Sequence, residues 1–166
     1  MLASLKIDLS EFTFIDIGSG KGRTLLMAAD YPFRRIVGIE LLPELHRVAE
    51  VNIGKYKSDS QRCFTIESWC GDGAAFEFPF EPIVLYLFNP LPESGLVRML
   101  GNLAGSLRQR PRPVFVLYHN PLLEEVVCTS PCLRKVGGTH QYSLFAGGRL
   151  GPTAGRQTGS LQADVD

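Results

Sequence analysis

The chain has 166 residues, 17 basic side chains against 17 acidic ones, and 45% hydrophobic residues. That length suits one domain with a full core and falls short of two domains of ordinary size. The balanced charge supplies no global field toward nucleic acid or an anionic membrane, no apolar run has the length of a membrane span, and the N-terminus lacks the pattern of a secretory signal.

In chain order, residues 1–11 read as a short lead-in with one helical turn. Thr13 to Ile17 is an apolar run that reads as the first strand. It leads into the stretch on which the chain is organised, Phe14-Ile15-Asp16-Ile17-Gly18-Ser19-Gly20-Lys21-Gly22-Arg23. Helical spacing is predicted from Lys21 to Asp30, with Tyr31-Pro32 as the stop. A buried strand, a tight glycine turn and a helix start present backbone N–H groups to a ligand. The turn is therefore expected to hold a small molecule with a polar, anionic part. Its spacing fails the phosphate-binding pattern G-x-x-x-x-G-K-[ST], because Ile15 stands where the first glycine belongs and Gly22 follows Lys21. It also fails the dinucleotide pattern G-x-G-x-x-G/A, because Arg23 occupies the third small position. Lys21 and Arg23 read as solvated cations, with pairing to a ligand carboxylate as the functional alternative.

Arg35 to Glu40 is the second strand, apolar through its middle as in a strand covered on both faces. Glu40 ends it about twenty residues beyond the turn, where a βαβ unit places the acid that binds ribose hydroxyls. Pro43 to Asn52 is predicted helical, with Leu45, Val48, Ala49 and Asn52 or Ile53 inward and Gly54 as the stop. Cys63 to Trp69 is the third strand, followed by Cys70-Gly71-Asp72-Gly73-Ala74. Ile83 to Phe88 is the fourth strand, ending in Asn89-Pro90-Leu91-Pro92. Glu93 to Leu107 is a helix with Leu96, Met99, Leu100, Leu103 and Leu107 inward. Val114 to Tyr118 is the fifth strand, ending in His119-Asn120-Pro121-Leu122, so two neighbouring strands end in the same Asn-Pro-Leu. Glu124 to Cys128 is a brief helix. Leu133 to Val136 and Gln141 to Ala146 form a closing pair of strands, and residues 148–166 read as a flexible tail after a domain over 1–147. Cys63, Cys70, Cys128 and Cys132 lack paired C-x-x-C spacing, so no metal site is expected and reduced thiols of a cytoplasmic protein are the default.

The wording D-x-G-x-G-x-G resembles motif I of class I methyltransferases that use S-adenosylmethionine, and the series of motifs spans nearly the whole chain. It looks most like small bacterial members of unassigned substrate. Asp-Ile-Gly-Ser-Gly-Lys-Gly-Arg, with an Asn after the fourth strand, is also similar to the histone lysine methyltransferases that lack a SET domain. The resemblance implies a Rossmann-like α/β fold, doubly wound, with a mostly parallel sheet closed by an antiparallel hairpin. It implies S-adenosyl-L-methionine as cofactor, held by Asp16, Gly18, Ser19, Gly20, Gly22, Glu40, Asp72 and Gly73, with Asp72 on the adenine amino group. It places Asn89 and Pro90 beside the methyl acceptor. Asn89-Pro90-Leu91-Pro92 departs from [DNS]-P-P-[YFW] at its third and fourth positions, which weighs against a nucleobase acceptor. An amine nitrogen, aimed by a carbonyl at Asn89-Pro90, is the expected acceptor, on a protein or small molecule. An oxygen acceptor would need a base, and His119 is the histidine placed for that; His46 and His140 are given no role. Relatives carry helices before the first strand that cover the cofactor. Here that cap is short or absent, so either a partner or second protomer supplies it, or the chain is a shortened form that binds the cofactor weakly or not at all. The alternatives are a nicotinamide-dependent oxidoreductase, disfavoured by Arg23 and the hairpin, and a non-catalytic binding subunit with the same fold.

Overall fold

The computed structural model describes Leu2 and residues 5–148. The expected tail therefore lies, after Gly148, outside the described residues. The strands are β1 (Thr13–Ile17), β2 (Arg35–Glu40), β3 (Ile66–Cys70), β4 (Ile83–Leu87), β5 (Val114–His119), β6 (Leu133–Gly138) and β7 (Tyr142–Gly147). The helices are α1 (Arg23–Ala28), α2 (Pro43–Lys55), α3 (Glu93–Gln109) and α4 (Glu124–Cys128).

The strands make one sheet in the order β3-β2-β1-β4-β5-β7-β6. β1 through β5 run parallel, and β7 is antiparallel to both β5 and β6. The expected doubly wound sheet with a closing hairpin is thus the observed one. The winding reverses between β1 and β4, and in such sheets ligands sit outside the strand ends at that reversal.

β1 is buried along its whole length because both faces are covered. On one face, Ile15, Ile17, Val37, Ile39, Leu85 and Leu87 pack with the inner row of α3, namely Leu96, Met99, Leu100, Leu103 and Leu107. Each fully buried Leu or Met in that row contributes roughly 1.5–3 kcal/mol. On the other face, Phe14, Ile36, Val84 and Leu117 pack with Leu25 and Ala28 of α1. At the opposite end of the strands Arg35 and Glu81 form an ion pair of 2.6 Å beside Thr13.

Several boundaries differ from the sequence reading. α1 begins at Arg23 instead of Lys21, because Gly22 is left-handed with φ +82° and caps the helix from outside it. α2 runs through Gly54, where a side chain would meet open space, and ends at Lys55. Val48 is exposed; the inner row of α2 uses His46, whose Nδ1 lies 2.8 Å from Ser68 Oγ. β3 starts three residues after Cys63, since the amides of Arg62 and Cys63 turn away from the sheet to donate to Ala29 O at 2.7 and 3.0 Å. β5 gains His119, which pairs with Tyr142. Among the described residues, no helix is long and apolar enough to cross a membrane, and all four cysteines are free.

Candidate functional site

The glycine turn is tied to the end of β2 by backbone and side chain. The amides of Gly18 and Ser19 both donate to Ile39 O, at 2.8 and 3.0 Å, and Gly22 N donates to Ser19 O at 2.9 Å. Glu40 completes the attachment: Oε2 accepts from Gly20 N at 2.8 Å and Oε1 from Leu42 N at 2.9 Å. Glu40 is 6% exposed. A buried carboxylate holding two amides is stable because both of its oxygens are engaged by donors. Each oxygen keeps a further acceptor position.

Gly18 has φ +76°, and a Cβ there would fall 2.8 Å from Pro90 Cβ. The turn and the loop after β4 are therefore in direct contact. Gly38, inside β2, leaves the room that Ser19 and Leu25 occupy: a Cβ would stand 2.6 Å from Ser19 Oγ. A glycine within a strand signals such a close approach; the sequence reading passed over this one. Ser19 Oγ is buried and, among the described residues, has no hydrogen-bond partner. Buried hydroxyls are nearly always paired, and this one is left unpaired against the Gly38 backbone.

Asp16 lies on the same face of the sheet, one strand from Glu40. Burial pushes its carboxyl up to about 8; the Thr24 hydroxyl pulls against that shift and the Glu40 charge adds to it. Asp72 caps a short helical turn over Gly73–Ala75, its Oδ1 accepting from Ala74 N at 2.9 Å, while its Oδ2 takes a hydrogen bond from Arg98 Nη2. Gly73 sits against Ile17, whose Cγ2 would be 2.5 Å from a Cβ. Asp72 and Gly73 are thereby brought to the end of β1.

Asn89 follows β4 with φ +46°, and Asn120 follows β5 with φ +47°. The two Asn-Pro-Leu segments are bound together through Asn89. Its Oδ1 accepts from Tyr118 OH at 2.9 Å and Leu122 N at 3.3 Å, and its Nδ2 donates to Asn120 O at 2.8 Å. Both acceptor positions of the Asn89 amide oxygen are thus engaged within the protein. His119 stands apart from this network: Nδ1 lies 2.8 Å from Tyr86 OH, and the ring stacks on Phe88 with centroids 4.9 Å apart. Burial, with a smaller contribution from Asp16, pushes the Tyr86 phenol up to about 12.

Register explains why these groups converge. Ile17 is level with Ile39 and Leu87, and Leu87 with Tyr118. Gly18, Glu40, Phe88, Asn89 and His119 therefore lie along one edge, the carboxyl ends of β1, β2, β4 and β5. Lys21 and Arg23 are exposed there, and neither forms an ion pair among the described residues.

No family profile and no curated protein matches the sequence. Solved structures do match by fold. An RNA methyltransferase from Salinibacter ruber, solved with S-adenosyl-L-homocysteine, aligns over 89% of this chain and 86% of its own, with TM-score 0.53 and 22% identity. A ribosomal-protein methylase from Lactobacillus delbrueckii subsp. bulgaricus aligns over 90% and 74%, with TM-score 0.56 and 15% identity. The S-adenosylmethionine-dependent methyltransferase SibL aligns over 89% of this chain and 53% of its own, with TM-score 0.59 and 12% identity. With the strand order, the closing hairpin and the glycine turn at the winding reversal, these likenesses give the chain the class I methyltransferase fold.

Proposed function

We propose that the chain binds S-adenosylmethionine across the glycine turn and passes its methyl group to an acceptor lying beside the β4 and β5 ends. One observation carries the reading: the Glu40 carboxylate is clamped to Gly20 at the winding reversal, beside the unpaired Ser19 hydroxyl. The residues fit the cofactor. Glu40 keeps acceptor positions for two ribose hydroxyls, Gly20 leaves no side chain in the open space beside the turn, and Asp16 stands ready for the amino group of the methionine end. Asp72 faces the adenine side, and Arg98 must share its Oδ2 with the base.

When bound, the cofactor supplies a sulfonium methyl that is already a strong electrophile. The protein's part is to hold the acceptor in line and exclude water. Because Asn89 Oδ1 already accepts two hydrogen bonds, an amine acceptor would be aimed by the Asn89 backbone carbonyl, which accepts no backbone hydrogen bond among the described residues. Pro90 fixes that carbonyl's direction by its contact with Gly18. The Tyr86–His119 bond favours a second reading, an oxygen acceptor: in the tautomer whose Nδ1–H donates to the Tyr86 hydroxyl oxygen, His119 Nε2 has the lone pair that can receive a proton.

Calorimetric titration with S-adenosylhomocysteine, with NAD as control, tests the cofactor. Saturable binding of the first alone supports the proposal. Binding of NAD alone would favour an oxidoreductase, and binding of neither by a folded chain would favour a non-catalytic subunit.

A further inference from the structure

Beside the glycine turn, on the face of the sheet covered by α1, lies a cleft of about 500 Å³. Phe14, Met27, Tyr86, Phe88 and His119 line it, and Arg23 stands at its edge. Its volume is that of a small-molecule site. Phe88 is 56% exposed although aromatic, and its ring is stacked on His119 at 27° between planes. Each ring covers one face of the other, so the open face of the exposed Phe88 is the one free for a further ring, and Tyr86 OH lies 2.8 Å from His119 Nδ1. Nε2 of His119 has no partner among the described residues, and neither has the Arg23 guanidinium. Phe88 immediately precedes Asn89, and Arg23 immediately follows the glycine turn, so the cleft neighbours both segments along the chain.

We infer that this cleft is the acceptor subsite and takes a small planar aromatic ring bearing an anionic group: the ring stacks on the open face of Phe88, and Arg23 pairs with the anion. The inference rests on the methyltransferase reading for the word acceptor, and on the cleft alone for the ligand class. Flat aromatic walls select flat ligands, because offset stacking rewards ring against ring over an aliphatic ring of equal size. One unpaired cation beside an apolar floor selects a single negative charge; a nucleic acid strand would need a track of them, and the chain's 17 acids cancel its 17 bases.

The chain's methionines are three, and two of them report directly. Met27 lines the cleft, whereas Met99 is 0% exposed beneath α3. With the methionine methyl groups carbon-13 labelled, the full chain is titrated with 4-hydroxybenzoate, with and without S-adenosylhomocysteine. The expected result is a saturable ring-current shift of the Met27 methyl, with Met99 unmoved. Cyclohexanecarboxylate should bind at least tenfold more weakly. Phe88→Ala should weaken 4-hydroxybenzoate about tenfold. Arg23→Gln should weaken it severalfold while leaving 4-hydroxybenzamide unchanged. Phe88 and Arg23 are exposed, so both variants are expected to fold, and the Met99 signal verifies it.

Equal binding of the cyclohexane and benzene acids would overturn the inference, as would no Met27 shift at millimolar ligand. So would a Met27 shift produced by a short single-stranded oligonucleotide but not by 4-hydroxybenzoate. Binding of S-adenosylhomocysteine without 4-hydroxybenzoate removes this inference and leaves the cofactor reading standing. Binding of 4-hydroxybenzoate without S-adenosylhomocysteine does the reverse, supporting the cleft as a ligand site and removing methyl transfer.

Discussion

Gly18 and Pro90 are packed so closely that a single added methyl group on Gly18 would lie 2.8 Å from Pro90 Cβ. The turn that holds the cofactor in our proposal and the loop that meets the acceptor are therefore one mechanical unit. Gly18→Ala meets two costs. The left-handed φ of +76° costs an alanine roughly 1–2 kcal/mol, and Pro90 must also be pushed aside. We expect lower stability in urea denaturation and at least tenfold weaker S-adenosylhomocysteine in calorimetry. Pro90→Gly removes the atom that is struck, so it should restore part of the affinity in the double variant. Strictly additive effects would mean that the contact transmits nothing.

Glu40 does two jobs, and its variants should separate them. Glu40→Gln keeps the shape but turns an NH2 group toward one of the amides of Gly20 and Leu42. One orphaned buried donor costs about 1–3 kcal/mol. Glu40→Ala orphans both amides and should cost more. Both variants should lose most cofactor affinity, and glutamine should retain more stability than alanine. An alanine variant as stable as the parent would show that the carboxylate does not hold the turn.

Much of this architecture was legible because it is written locally. β1, β2 and α4 begin and end where the apolar runs and glycine or proline breaks place them. The inward row of α3 is the one its spacing predicts. The failures are physical and mostly non-local. α1 is shortened by a left-handed Gly22, a backbone state that helical periodicity does not register. Val48 faces out, and His46 takes an inner position, where Ser68, on a strand 22 residues away, makes a polar side chain acceptable. Asn89 carries the right residue type for an acceptor contact, yet Tyr118 and Leu122, 29 and 33 residues on, engage its amide oxygen. The partnership of Tyr86 with His119 spans 33 residues. Gly38 alone was readable and passed over.

Asn89→Ala should act first on structure. It removes three hydrogen bonds that join the β4 and β5 ends and places alanine at φ +46°. At about 0.5–1.5 kcal/mol net per bond, plus the backbone cost of about 1 kcal/mol, a loss of roughly 2–6 kcal/mol is expected. Cofactor affinity should fall less than in Glu40→Ala. Asn89→Asp retains the acceptor oxygen for Tyr118 OH but loses the donor to Asn120 O, so it should lie between parent and alanine. Thermal denaturation ranks the three chains; full stability for Asn89→Ala would show the network to be incidental.

Arg98 steadies the turn that carries Asp72. It donates to Asp72 Oδ2, and its Nε donates to Ala74 O at 3.3 Å. The ion pair is largely exposed, so deleting it should cost only about 0–1 kcal/mol of stability. Its effect on ligand binding should be specific. Arg98→Ala frees Asp72 Oδ2 but loosens the turn, so affinity for adenine-containing ligands should change while 4-hydroxybenzoate binding stays the same. Identical affinity for S-adenosylhomocysteine in the variant would detach Asp72 from the adenine role.

Asp16 gives the site a pH signature. Its carboxyl is raised from an ordinary 3.8 to about 8, chiefly by burial. Between those values the unfolded chain has released the proton and the folded chain retains it. Stability contributed here is therefore complete below the lower value and is lost as pH rises toward about 8, by up to roughly 1.4 kcal/mol per unit. Asp16→Asn cannot ionise, so its advantage over the parent in urea denaturation should grow with pH across that window and level off above it. Ligand binding should move the proton as well. A cationic amino group brought beside Asp16 favours the carboxylate, so S-adenosylhomocysteine binding at neutral pH should expel up to one proton. Calorimetry in buffers of different ionisation enthalpy would read that proton as a slope in the observed heat. The slope should vanish in Asp16→Asn; a slope that persists there would place the titrating group elsewhere.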